Sequence, residues 1–329
     1  MLISQYTNID FIKLFKSLAD ETRLRILRIL SRGSFHVNEI LFIVNGKQSN
    51  ISHHLKIMQE AGVIKSKKEG SWIFYRINEE NGTGSVKSII DTVMLDEKNI
   101  PCYDGDIKRL DAVLQKRKNE AEIFFNSIGD NFDNIQDNLF RDIYSVKDSV
   151  ELFSDDLKTI LDVGCGTGRN LPLLAGKSQK VIGIDASPSM LQLSEHYCKK
   201  NKLNYELRLG DIDRIPFGAE SIDGVFINMV LHHISDPASA LKEISRVLVN
   251  NGELLLIELL SHDNDFMREK YADLWLGFSI EDLNKWLKQS GFIVKESIMK
   301  ESDINLGNNY FRITIILAEK KLDVIEVEI

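Results

Sequence analysis

The chain has 329 residues, 43% of them hydrophobic, and a net charge of −8, enough apolar material for two cores of ordinary domain size. Three scattered cysteines (Cys102, Cys165 and Cys198) make neither a disulfide framework nor a paired metal motif. The start runs Met1-Leu2-Ile3 and soon reaches Asp10 without the basic opening of a leader, and the apolar runs Ile40 to Val44 and Leu254 to Ile257 are far short of a membrane helix, so a cytoplasmic protein is expected.

Charge is segregated along the chain. Up to Glu80 there are 12 Lys or Arg against 8 Asp or Glu, whereas the remainder holds 29 against 41. A basic module on an acidic protein is what attraction to phosphates requires, because nucleic-acid affinity comes largely from counterion release by Lys and Arg.

Apolar residues recur at helical spacing from Phe11 to Leu30, and Asp20 to Thr22 interrupts them as a helix start signal, which predicts two helices. Val37 to Val44 reads as a third, broken by Asn45-Gly46 before a fourth that begins near Ser49 and ends at Ala61-Gly62. Val63 to Lys67 and Trp72 to Ile77 read as a hairpin turned by Lys68-Glu69-Gly70-Ser71. A helix, turn, helix and hairpin in that order suit DNA: the second helix of the pair can enter the major groove while the hairpin reaches phosphate. Gln48, Ser49, Asn50, Ser52, His53, His54 and Lys56 crowd the start of that helix, and Lys65, Lys67, Lys68 and Arg76 charge the hairpin.

The segments Leu18 to Leu27, Ile51-Ser52-His53-His54-Leu55 and Ala61-Gly62-Val63-Ile64 resemble the ArsR-type winged-helix repressors over roughly residues 8 to 80. The resemblance implies a dimer on a double-stranded DNA operator. Metal sensors of that family place a Cys-x-Cys pair where this chain has His36 and Asn38, and no histidine lies between His54 and His196, so no metal ligand set is expected.

Asn78 to Asn99 is polar, with Gly82 and Gly84, and reads as a linker. From Ile107 to Ile128 apolar positions predict a helix interrupted by the charged run Lys116 to Glu120, either packed on the next domain or dimerising.

Residues 158 to 260 alternate strand and helix, predicting a parallel sheet. The first strand ends in Asp162-Val163-Gly164-Cys165-Gly166-Thr167-Gly168, where glycines would let the backbone approach a ligand closely. The second ends in Asp185, placed to accept ribose hydroxyls. Gly-x-Gly-x-Gly after an Asp differs from the dinucleotide fingerprint Gly-x-Gly-x-x-Gly, which argues against a nicotinamide enzyme.

With Gly210-Asp211-Ile212 after a third strand, Ile222 to Asn228 as a fourth, and Leu231 to Pro237, this set resembles the class I S-adenosylmethionine-dependent methyltransferases, notably small-molecule enzymes such as those of quinone biosynthesis. The resemblance implies that Asp162 and the Gly164, Gly166 and Gly168 amides hold the methionine part, Asp185 with Ala186 the ribose, Asp211, Ile212 and Met190 the adenine, and Asn228 the carboxylate side. S-adenosylhomocysteine would be the product. His232 and His233 are the candidate bases for a small-molecule acceptor, with packing of one of them against the cofactor pocket as the alternative, and Tyr271, Trp275 and Phe278 are candidate pocket residues, Trp275 and Phe278 reading equally as core. Arsenite methylation would need several thiols, and with Cys165 held in the glycine loop only Cys102 and Cys198 remain.

The expected fold class is thus an α+β winged helix-turn-helix domain over residues 1–99, a helical linker and lid over 100–150, and an α/β Rossmann-like methyltransferase domain with a seven-stranded, mostly parallel sheet over 151–329. An enzyme under its own tethered control and a non-catalytic sensor of S-adenosylmethionine or S-adenosylhomocysteine both fit the sequence.

Overall fold

The computed structural model describes residues 10–69, 72–78, 85–140, 142–155, 157–262, 264, 266–301 and 311–321, so the turn glycine Gly70, Ser71, Gly82 and Gly84 lie outside the described residues. Two compact units divide the chain, Met1–Lys118 and Asn119–Ile329.

In the first unit, α1 (Phe11–Leu18) and α2 (Glu21–Leu30) each begin on an aspartate, Asp10 accepting from the Lys13 amide and Asp20 from the Arg23 amide. A short strand β1 (Phe35–His36) leads into α3 (Val37–Val44), which ends on Asn45 in the left-handed region at φ 54°. Asn tolerates that backbone better than most residues, so the chain reverses at once into α4 (Gln48–Glu60). Strands β2 (Ile64–Glu69) and β3 (Trp72–Ile77) pair antiparallel, and β1 completes a sheet of order β1-β3-β2. Leu14, Ile26, Leu27, Ile40, Ile43, Ile51, Leu55 and Met58 form the core between these elements.

Two expectations for the following segment are corrected. The supposed linker contains a helix, α5 (Ser85–Leu95), whose Ile90 enters the same core. The helix beyond it, α6 (Tyr103–Ile128), runs unbroken through the charged stretch. Its charges are used in place: the Arg117 guanidinium donates to both Glu39 carboxylate oxygens at 2.5 and 2.8 Å and to the Ser34 carbonyl. Leu110 and Val113 of α6 also join the core of the first unit, and the boundary between units falls within this helix.

Asp106 on α6 organises a buried charge cluster. Its carboxylate accepts from Arg25 at 2.7 and 2.8 Å, Arg28 at 2.5 Å and Arg109 at 2.7 Å. Arg28 is fully enclosed and spends further donors on the carbonyls of Ile100 and Pro101. Such a set is tolerable in a core because nearly every charge meets an opposite charge or a carbonyl.

The second unit opens with α7 (Phe132–Phe140) and α8 (Val146–Val150). There follow β4 (Leu157–Val163), α9 (Leu171–Leu174), β5 (Ser178–Asp185), α10 (Pro188–Lys200), β6 (Tyr205–Leu209) and β7 (Ile222–Asn228). Next come α11 (Pro237–Val247), β8 (Leu248–Leu259), α12 (Phe266–Tyr271), α13 (Ile280–Gln289), β9 (Phe292–Glu301) and β10 (Arg312–Lys320). Among the described residues these strands form the expected seven-stranded sheet, in the order β6-β5-β4-β7-β8-β10-β9. Pairing is parallel from β6 to β8, and β10 inserts antiparallel between β8 and β9.

Successive side chains of a strand face opposite ways, so β7 sends Val225 into one apolar layer with Leu241, Ile244 and Leu283, and Phe226 into the other with Leu171, Leu255 and Phe140. The strand order reverses at β4, with β5 on one side and β7 on the other, which opens a crevice at their carboxyl ends. Among the described residues no helix is long and apolar enough to cross a membrane.

Candidate functional site

On the first unit, Gln48, Ser49, Asn50, Ser52, His53 and Lys56 are all exposed on α4, as a groove-reading surface requires. Lys68 on the hairpin is exposed, and Lys67 and Arg76 are half-buried. His54 departs from this set. It turns inward, with Nδ1 3.4 Å from the Arg23 guanidinium and 3.6 Å from Asp20 Oδ1, and burial lowers its pKa. Helical spacing explains the difference: Ile51, His54, Leu55 and Met58 form the buried stripe of α4, while His53 lies on the other face.

In the second unit the loop after β4 is held at Asp185, the last residue of β5. Asp185 Oδ2 accepts from the Gly166 amide at 2.9 Å and Oδ1 from the Ser187 amide at 2.8 Å. Ala186 beside it is exposed, whereas Met190 and Ile212 are buried. Asp211 accepts from the Asp213 amide at 3.1 Å within its own loop. Asn228, at the end of β7, accepts from the Tyr144 hydroxyl at 2.8 Å.

Two of the three loop glycines meet obstacles within the protein itself. All three have positive φ, at 72°, 53° and 80°. A Cβ on Gly164 would lie 2.6 Å from Val230 Cγ2, and one on Gly168 would fall onto Ser194 of α10, so both are required by packing within the protein. At Gly166 the nearest atom to such a Cβ would be Phe132 Cε1 at 3.4 Å, an ordinary contact.

Asp162 lies beneath this loop, buried, with Oδ2 lacking any hydrogen-bond partner. Burial and the nearby Asp185 charge push its carboxyl up to about 8. A buried carboxyl with one unpartnered oxygen at the carboxyl edge of a parallel sheet is suited to a cationic ligand group.

The end of α6 and α7 cover the crevice. Asn126 Oδ1 accepts from the Ser187 and Ser189 hydroxyls at 2.7 Å, and Thr167 donates to Asp133 at 2.8 Å. Phe125 packs edge-on against His233 and Phe132, and Phe124 against Tyr271. Below this cover is a cavity of about 30 Å³ lined by Phe124, Phe125, Met229, His233, Met267 and Tyr271 among others. Tyr271 therefore lies where a pocket residue was expected. Trp275 and Phe278 do not: Phe278 is core, and Trp275 packs against that core while its indole donates to the Ile234 carbonyl at 2.7 Å.

The two candidate bases differ sharply. His232 is buried with Nδ1 2.6 Å from Glu258 Oε1 and Nε2 3.8 Å from Asp273 Oδ1. Burial would lower its pKa, but the two carboxylates outweigh it and push the imidazole up to about 9, so His232 is a proton holder rather than a base near neutral pH. His233 is held well below the ordinary histidine range by burial and the adjacent His232, and its Nδ1 lies 3.3 Å from the Ala272 carbonyl.

Glu258, Asp273, Tyr144, Asn126 and Phe125 were not singled out in the sequence. Glu258 was discoverable, since a carboxylate inside the apolar run Leu254 to Leu260 must be paired when that strand is buried.

Comparison with known proteins agrees with both units. Residues 20–66 match the profile for bacterial regulatory proteins of the arsR family, and residues 161–256 match that for a methyltransferase domain. An HTH-type transcriptional regulator from Methanocaldococcus jannaschii is 43% identical over 82 residues, which are 25% of this chain and 88% of that protein. A demethylmenaquinone methyltransferase from Tropheryma whipplei is 34% identical over 127 residues, covering 38% of this chain and 51% of the relative. The chain spans only 34% to 51% of the length of the first three curated relatives it matches. The fold of the methyltransferase in a complex with the Haloferax volcanii Trm112 activator superposes with a TM-score of 0.52 at 18% identity, over 60% of this chain and 98% of that one. Through its amino-terminal unit the chain belongs to the arsR family of bacterial regulatory proteins, and to that unit it joins a methyltransferase domain.

Proposed function

We propose that the chain is a transcriptional regulator that binds a double-stranded operator as a homodimer through residues 1–99, and that residues 151–329 bind S-adenosylmethionine and methylate a small molecule. Residues 100–150 would link the two activities and cover the cofactor. The observation that carries the cofactor assignment is Asp162, a buried carboxyl with an unpartnered oxygen under a loop held by Asp185. The cationic methionine end of the cofactor is the kind of group this position needs.

When bound, the cofactor supplies an electrophilic methyl group that needs no metal activation. The protein's own task is alignment and exclusion of water. Asp162 and the loop amides would hold the amino-acid part, Asp185 the ribose, and Asn228, fixed by Tyr144, the carboxylate side. Phe124, Phe125, Phe132 and Tyr271 would select an apolar or aromatic acceptor, which enters by displacing their cover. With His232 clamped between carboxylates, His233 is the candidate that remains for a base.

Cofactor binding is expected to release a proton. Asp162, whose carboxyl burial and the Asp185 charge push up to about 8, ionises when a cation binds beside it, because an opposite charge favours the charged form. Calorimetry at about pH 6, where the cofactor's α-amino group is already protonated, should therefore give heats that differ between buffers of different ionisation enthalpy, and the difference should vanish in Asp162→Asn. Equal heats at that pH in the parent would count against this role.

For the DNA half, replacing Lys67 and Lys68 by Ala should lower the slope of log affinity against log salt by up to about two phosphate contacts while leaving sequence preference intact. An unchanged slope would remove the hairpin from the interface.

One feature favours the second reading, a sensor that binds the cofactor or its demethylated product without turnover. The helix α6 places Asp106 and Arg117 in the charge network of the first unit and Phe124, Phe125 and Asn126 on the cover of the second. A change in that cover on ligand binding has a continuous helix through which to reach the DNA reader.

A further inference from the structure

We infer that His232, His233 and Asp273 form a binding site for one divalent transition-metal ion of the zinc class, a site independent of whether the domain transfers methyl groups. Three observations converge on it. The ligand atoms of these residues lie within 4.8 Å of one another, and His232 Nε2 and His233 Nδ1 are each 3.8 Å from the same oxygen, Asp273 Oδ1. Ligand atoms bound at about 2.0 to 2.1 Å on a tetrahedral ion stand a little over 3 Å apart, so both Asp273 contacts need only close by less than an ångström, while His233 Nδ1 must exchange its 3.3 Å contact with the Ala272 carbonyl for the ion.

Second, Asp273 is buried and neither of its carboxylate oxygens has a hydrogen-bond partner. His232 and His233 at 3.8 Å are too far to hydrogen-bond it, so both oxygens keep lone pairs free to bind a cation. Arg268 is near enough to act on this carboxylate electrostatically, but its Nη1 donates to the Leu274 carbonyl at 2.6 Å.

Third, the supporting shell is already built. Glu258 is fully buried and meets His232 Nδ1 at 2.6 Å while also accepting from the Leu259 amide at 2.6 Å. A carboxylate on the far nitrogen fixes the imidazole tautomer and turns the other nitrogen's lone pair toward Asp273, the arrangement typical of metal-bound histidine. The adjacent cavity of about 30 Å³, lined by all three residues, has room for one water as the remaining ligand. Two imidazoles, one carboxylate and one open position suit zinc better than magnesium or calcium, which favour all-oxygen sites.

The test uses the full chain stripped with a chelator and titrated with Zn²⁺ by calorimetry and with Co²⁺ by visible absorption. One equivalent should bind, with the intense absorption of four-coordinate cobalt, and His233→Ala and Asp273→Asn should each weaken binding at least a hundredfold. Replacing the exposed His196 with Ala should change nothing. Should either cavity variant fail to fold, nitrogen chemical shifts of the parent decide: His232 and His233 should both move to metal-bound values at one equivalent of Zn²⁺. Failure to bind, variants that bind as tightly as the parent, or unmoved His232 and His233 signals would overturn the site and leave His232 as an imidazolium between two carboxylates. None of these outcomes depends on the cofactor, so failure here leaves the methyl-transfer reading standing.

Discussion

Replacing Asp106 with Ala is expected to destabilise the amino-terminal unit by about 3 to 5 kcal/mol, because it strips the shared carboxylate from Arg25, Arg28 and Arg109 and leaves a fully buried guanidinium without its counter-charge. That is a large part of the 5 to 15 kcal/mol by which domains are ordinarily stable. The same cluster sets a pH dependence. Burial would raise the Asp106 carboxyl, but its hydrogen bonds and charge pairing with Arg25 and Arg28 outweigh this and hold it below the ordinary range. A carboxyl depressed in the folded state contributes stability above its unfolded value, near 3.9, and loses it as the pH falls through the lower folded value. Chemical denaturation of parent and variant at pH 7 and pH 3 checks both points. The gap should narrow in acid, and a loss below 1 kcal/mol at pH 7 would show that the cluster is not a keystone of the unit.

Replacing Asp185 with Ala should weaken binding of S-adenosylmethionine and S-adenosylhomocysteine by roughly a hundredfold or more. Two hydrogen bonds from ribose hydroxyls to a charged acceptor are worth about 1.5 to 3 kcal/mol each, and the substitution also releases the Gly166 and Ser187 amides that Asp185 holds in place. Calorimetry with each ligand reads the effect directly. Affinity within threefold of the parent would remove Asp185 from the cofactor site.

Much of the architecture was legible because local chemistry and the final fold agree. Asp10 and Asp20 cap the helices they precede, Asn45 ends α3 in the backbone region it tolerates, and β5 and β7 end on the candidate site residues Asp185 and Asn228. The failures share a cause, which is that the deciding partners are distant in sequence. Polar, glycine-bearing residues before Ser85 concealed α5, whose Ile90 shares a core with Leu110 and Val113 of α6. The charged run in α6 resembled a break because Glu39, which meets Arg117, lies 78 residues earlier.

At the site, residue type was readable and orientation was not. His53 and His54 are neighbours with opposite fates on α4, and periodicity from Ile51 and Met58 distinguishes them only once that helix's buried face is known. His232 and His233 looked like two equivalent bases until Glu258 and Asp273, 26 and 41 residues further on, converged on them. Gly164 and Gly168 were rightly marked as positions that exclude a side chain, but the obstacles are Val230 and Ser194.

One measurement bears most directly on a regulator that reads cofactor and DNA in the same molecule. Full-length protein is titrated against a labelled duplex, selected by the protein from random sequence, without ligand and with saturating S-adenosylmethionine or S-adenosylhomocysteine. Ligand shifts DNA binding only through its differential affinity for the two states, and a coupling of about 1 to 3 kcal/mol corresponds to roughly 5- to 150-fold. A displacement in that range is expected with at least one ligand, and a change of cofactor affinity by the same factor when the duplex is bound. Coincident DNA-binding curves in all three conditions would contradict it and leave a methyltransferase domain merely tethered to a DNA reader.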